Sequence, residues 1–166
     1  EKYFESYIKK IKPINKSDYS KLIYSLFDNK NRLNVIQFFE NYLNKNKNQA
    51  LNLSFIELLY SYNMPSKVIY YIDKIGSLSE RNLVRLYANS LLLLHRDIQA
   101  KDLLENFLQN KPSSDRQVEY ELLGIYALLN DMVATEKLIK DIFERDPDNP
   151  ENIYRISRIL YENKKY

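Results

Sequence analysis

Cysteine is absent from the 166 residues, which excludes disulfides, thiolate nucleophiles and cysteine-ligated metals together. That absence suits a periplasmic or envelope setting, and it is equally compatible with a bacterial cytoplasm. Histidine occurs once, as His95 between Leu94 and Arg96; a triad or zinc site needs partners that this chain lacks. His95 therefore reads as a solvent-exposed turn residue. With only Gly76 and Gly124, no glycine-rich loop is available to cradle a phosphate. Two glycines and five prolines also argue against a β-sandwich, whose many turns need them, and favour a helical chain. No run approaches the roughly 18 consecutive apolar residues of a membrane span. The opening "EKYFESYIKK" has neither the apolar stretch nor the cleavage site of a signal peptide, and no initiating methionine. The expectation is a segment cut from a longer protein.

What is present can bury a core: 45% of residues are hydrophobic and 28% charged. The 15 tyrosines accompany many Lys, Asn and Ile, a bias that AT-rich coding DNA produces without any aromatic binding surface. The net charge of +3 hides an asymmetry. Residues 1–50 carry ten Lys/Arg against five Asp/Glu, whereas residues 101–150 carry six against eleven. Such a dipole can steer partners or pair neighbouring copies of the chain. Nucleic acid is not the expected partner, because only the N-terminal third is basic.

Apolar residues recur at helical spacing nearly throughout. In "NLVRLYANSLLLL", Val84, Tyr87, Ala88 and Leu91 share one face and Arg81, Arg85 and Asn89 another. In "AKDLLENFLQN", Leu103, Leu104, Phe107 and Leu108 form a second stripe, and the short polar "HRDIQ" between them predicts a turn. This helix–turn–helix pattern repeats. A small residue falls mid-way along each first helix, at Ser20, Ser54, Ala88, Gly124 and Ser157, spaced 34, 34, 36 and 33 residues apart. Second helices carry Ile36, Tyr70, Leu104 and Ile139 in the same register. Where two helices cross closely, a larger side chain at the small site would overpack the contact, at about 1–3 kcal/mol.

A helix–turn–helix period near 34 resembles the tetratricopeptide repeat family. Tyr120, Leu123 and Gly124 match the opening of that family's W-x2-L-G-x2-Y…A-x3-F…P pattern, and Ala100, Leu104, Phe107 and Pro112 match its later half. Glu57 and Asp73 fall where apolar residues belong, and unit lengths drift. The resemblance covers about residues 14–166, in units near 14–46, 47–79, 81–113 and 116–149 and a half unit at 150–166. It implies an all-α, right-handed solenoid of antiparallel helix pairs. Residues 1–12, with Tyr3, Phe4, Tyr7, Ile8 and Ile11 apolar, predict a short amphipathic helix, either an N-terminal cap or the tail of a preceding repeat. In "RDPDNPENIYR", Pro147 ends one helix, Asp148 or Asn149 caps the next, and Pro150 is tolerated in its first turn; Pro112 and "SSD" mark the junction one unit earlier. That junction also explains Glu144, Asp146, Asp148 and Glu151 without a cation site, since the glycine of a calcium loop is missing.

No catalytic residue, cofactor or metal is therefore expected. In the family it resembles, residues three before and one after the small site face the inner groove. Here these are Ser17 and Lys21, Leu51 and Phe55, Arg85 and Asn89, Glu121 and Ile125, and Tyr154 and Arg158. Arg85 and Glu121 alternatively pair across adjacent helices as a solvated face. Arg85, Asn89 and Arg155 resemble part of a clamp for a partner's C-terminal carboxylate. Leu122 and Glu151 replace other members of that clamp, and Glu121 adds a competing anion. The functional expectation is a non-catalytic protein–protein scaffold or adaptor that docks a partner's peptide or helix. Composition alone suggests a bacterial envelope or motility assembly as its setting. A recognition module attached to an enzyme elsewhere in a longer chain is the alternative, and self-association through the charge dipole is a third reading.

Overall fold

A computed structural model describes residue 6 and residues 16–26, 32–45, 48–76, 78–111 and 114–164. Among these residues the protein is all-helical, without strands. The helix expected over residues 1–12, apart from helical Ser6, and the expected role of Pro112 lie outside the described residues. No helix among the described residues is long and apolar enough to cross a membrane. The chain divides into two compact units, residues 1–75 and 76–166.

The first unit holds α1 (Lys16–Leu26), α2 (Arg32–Lys45), α3 (Gln49–Ser61) and α4 (Pro65–Ile75). α3 is apolar on most sides and lies against both α1 and α4, as expected for a helix buried all round. Asn48 caps it, accepting the Leu51 N–H at 3.0 Å, and also donates to the Tyr19 hydroxyl at 2.7 Å. Two small sites of the repeat meet directly: Ser20 Oγ donates to Ser54 Oγ at 3.0 Å. Phe55 is fully buried, with ring centroids 5.6 Å from Phe39 and 5.2 Å from Tyr71. Lys67 on α4 pairs with Glu40 on α2. Tyr70 departs from the register expected for it. It is 57% exposed, and its neighbours Ile69 and Tyr71 are buried instead.

The second unit holds α5 (Arg81–Leu93), α6 (Asp97–Gln109), α7 (Arg116–Leu128), α8 (Met132–Arg145) and α9 (Pro150–Glu162). α7 is its centre, in contact with α6, α8 and α9. Tyr120, Leu123, Ile142 and Ile156 form a core, flanked by Leu138, Ile139 and Phe143. Asp115, Asp131 and Asn149 cap α7, α8 and α9 with their side chains, and Pro150 occupies the first turn of α9. The lone histidine has a conformational role. His95 has φ +56° and is exposed, in the left-handed position that lets a helix end; the Arg96 N–H then reaches Leu91 O at 2.9 Å. Asn63 and Asn130 do the same at φ +55° and +60°, with Met64 N donating to Leu59 O and Asp131 N to Tyr126 O. Asn and His are among the few non-glycine residues that enter this region readily.

Candidate functional site

Four of the expected groove residues gather in the second unit. Arg85 on α5 donates from Nε to Glu121 Oε1 on α7 at 2.5 Å, so these two residues pair as the alternative reading expected, but not as a solvated face, because Glu121 is largely enclosed. Asn89 and Leu92 on α5, and Tyr120, Glu121, Gly124, Ile125 and Leu128 on α7, line a cavity of about 190 Å³. Ala88, Leu104 and Asn163 complete its wall.

The electrostatics of Glu121 are unusual for a residue in an ion pair. Burial raises its pKa, and the hydrogen bond and charge of Arg85, with a further side-chain hydrogen bond from Gln117, only partly oppose that shift. Desolvation outweighs the pair because the carboxylate is the more enclosed partner, with 18% of its side chain exposed against 32% for Arg85. Its second oxygen, Oε2, is shut off from solvent, and Gln117 is the other side chain that hydrogen-bonds the carboxylate.

Gly124 overturns the packing reason expected of a small residue. A Cβ added there meets no atom within 4 Å, because the residue borders the cavity and not a helix crossing. The steric argument fits Ser54, which is about 1% exposed and meets Ser20 directly; Ala88, equally buried, lines the same cavity as Gly124. It does not extend to Ser157, which is exposed on α9.

The remaining expected groove residues do not join this site. Phe55 belongs to the aromatic core of the first unit, so it is a correction: a fully buried ring offers no contact to a partner. Ile125 is also buried, touching the cavity only as part of its wall. Lys21 is exposed on α1. On α9, Tyr154 is 61% exposed, Arg158 pairs with Glu162 at 2.7 Å and Arg155 with Glu151 at 2.6 Å. The Arg155 guanidinium also lies 6.0 Å from the Tyr120 ring centroid. Leu92 and Leu128 escaped sequence reasoning, although each sits one helical turn beyond a small site, a register that would have found them.

A larger cleft of about 470 Å³ lies between α6 and α8. Its deepest acid, Glu119, is held by Arg145 at 2.8 Å and approached by Arg116 at 3.7 Å, so its charge is compensated within the fold. Among the described residues no group of three or more His, Cys, Asp or Glu is arranged to hold a metal ion. No protein-family model, curated protein or solved structure matches the chain.

Proposed function

We propose that this chain is a non-catalytic protein–protein interaction domain of tetratricopeptide-like helix pairs, acting as a scaffold or adaptor. Its groove docks a peptide or helix of a partner. The observation that carries the reading is the cavity over Gly124, an open recess with apolar walls and convergent polar groups, the usual make-up of a recognition site. Support for the repeat comes from within each unit. First helices touch across a repeat, α1 with α3 and α7 with α9. Residues Asn63, His95, Asn130 and Lys164, spaced 32, 35 and 34 apart, all adopt positive φ after a first helix.

The test uses Gly124→Leu, which puts a side chain into the recess from a position where the added Cβ meets no atom within 4 Å, beside a Lys140→Glu control on the exposed side of α8. Crosslinking capture from lysate of the source cell should yield a protein held by wild type and control and lost from Gly124→Leu. Equal capture by all three, with circular dichroism unchanged, would remove function from this groove.

A further inference from the structure

We propose that the exposed face of α9 pairs with the same face of a second copy of this chain, antiparallel across a two-fold axis at Ser157. The pairing does not rest on the groove reading above.

Three observations select a second copy. First, α9 carries an exposed apolar stripe. Ile153 is 56% exposed, Tyr154 61% and Tyr161 73%, and helical spacing places all three within about 100° of one another. Second, the stripe matches itself. Ile153 and Tyr161 stand four residues to either side of Ser157, and Tyr154 and Leu160 three residues to either side. Reversing the helix about Ser157 lays large side chains on large ones, Ile153 on the second copy's Tyr161 and Tyr154 on the second copy's Leu160. A two-fold contact requires such self-complementarity. Ser157, exposed in one copy, then falls where the two backbones come closest, a crossing that a larger side chain would overpack.

Third, the surroundings keep the contact on α9. Beyond its first turn, every exposed residue of α8 is charged: Glu136, Lys137, Lys140, Asp141, Glu144 and Arg145. A further helix continuing the array would lie along α8 as well as α9 and would desolvate these groups. A helix that crosses α9 alone leaves them in water. On α9 itself, Arg155 pairs with Glu151 at 2.6 Å and Arg158 with Glu162 at 2.7 Å, so the charged border of the stripe is already neutralised within each copy.

The area sets the strength. Each exposed tyrosine has about 150–250 Å² to cover, so closing the stripe in both copies removes on the order of 1,000 Å². That is near the least a specific interface carries, so the dimer is weak, with a Kd of about 100 µM.

Sedimentation equilibrium of the whole chain, from about 20 µM to about 1 mM, should fit monomer and dimer only. Because the contact is apolar, raising NaCl from about 0.1 to about 0.5 M should change the Kd less than about twofold. Ile153→Gln combined with Tyr161→Gln, two exposed positions, should keep the circular dichroism and raise the Kd at least about tenfold. The absence of cysteine supplies an independent measurement. Ser157→Cys should oxidise to a covalent dimer at least about tenfold faster than Glu162→Cys, whose two copies lie about 15 Å apart in the pair, beyond disulfide reach. A monomer at every concentration, a dimer indifferent to the paired substitution, or equal crosslinking at the two positions would overturn the assignment. So would oligomers that grow past the dimer and dissolve in salt, the behaviour of head-to-tail pairing between the basic and acidic stretches. Gly124→Leu should dimerise like wild type whether or not it loses a captured partner, which separates this surface from the groove; a loss of the dimer there would move the self-contact into the recess and overturn pairing through α9.

Discussion

At the scale of single residues, Glu121 and Gly124 carry opposite lessons. An ion pair at 2.5 Å invites the view that Glu121 stabilises the fold, yet burial raises its pKa despite Arg85. A carboxyl whose folded pKa lies above its unfolded value binds more protons when folded across the interval between the two. Stability from this group is therefore present at low pH and lost as pH rises through that interval. Glu121→Gln is expected to melt at or above the wild-type temperature at pH 7, with the advantage shrinking as the pH is lowered toward the ordinary carboxyl range. A variant less stable at pH 7, with a gap that closes on acidification, would mean that the Arg85 pair outweighs desolvation. Gly124→Ala is expected to raise stability by about 0.5–1 kcal/mol in denaturant unfolding, the usual difference in a helix interior, because the new methyl meets nothing. A loss of stability would mean that the helix needs glycine for its own packing. The sequence pattern located Arg85, Asn89, Glu121 and Ile125 as neighbours, since one period of 36 residues brings Arg85 and Glu121 to equivalent positions. It misplaced Phe55, because periodicity alone does not separate a ring that faces a groove from one enclosed by Phe39 and Tyr71.

At the scale of elements, the junction before α9 decides how the last helix is held. Asn152 is fully buried. Its Oδ1 accepts from the Tyr120 hydroxyl at 2.8 Å and from Arg116 Nη1 at 3.1 Å, and its Nδ2 donates to Asp146 O at 2.8 Å. One amide thus ties α7, the end of α8 and the start of α9. Asn152→Ala leaves the buried Tyr120 hydroxyl without that acceptor, an effect worth about 1–3 kcal/mol, while Arg116 Nη1 keeps Ile142 O at 3.2 Å. A clear drop in the unfolding midpoint is expected, and no measurable drop would mean that water replaces the amide. Helix limits at this junction were legible because Pro147 and Pro150 have few places in a helix, and Asn149 proved to be the cap. The buried role of Asn152 was not legible. Nothing in "NPENIYR" distinguishes an asparagine in the core from one at the surface until α7 is packed beside it. Tyr70 slipped by one residue for a related reason: the run "VIYYI" offers a nearly continuous apolar choice, and its burial follows Ile69 and Tyr71.

At the scale of the whole molecule, the two compact units make separate claims to stability. On the repeat reading proposed above, each helix pair contacts its neighbours only, so stability sums over local interfaces and needs no single global core. The second unit has its own core around Tyr120, Leu123, Ile142 and Ile156, its own caps and the Asn152 network. It is also the unit that holds the recess over Gly124. A fragment of residues 76–166 is therefore expected to show helical circular dichroism and a single cooperative urea transition. Placing Asn152→Ala in the full chain then discriminates further. If the units unfold independently, the substitution moves the transition reported by the second unit and leaves one reported by the first, such as hydrogen exchange in α3, where it was. A fragment without helical signal, or an equal shift in both units, would mean that folding is cooperative over the full chain, and that the groove depends on more of the molecule than the helices that line it.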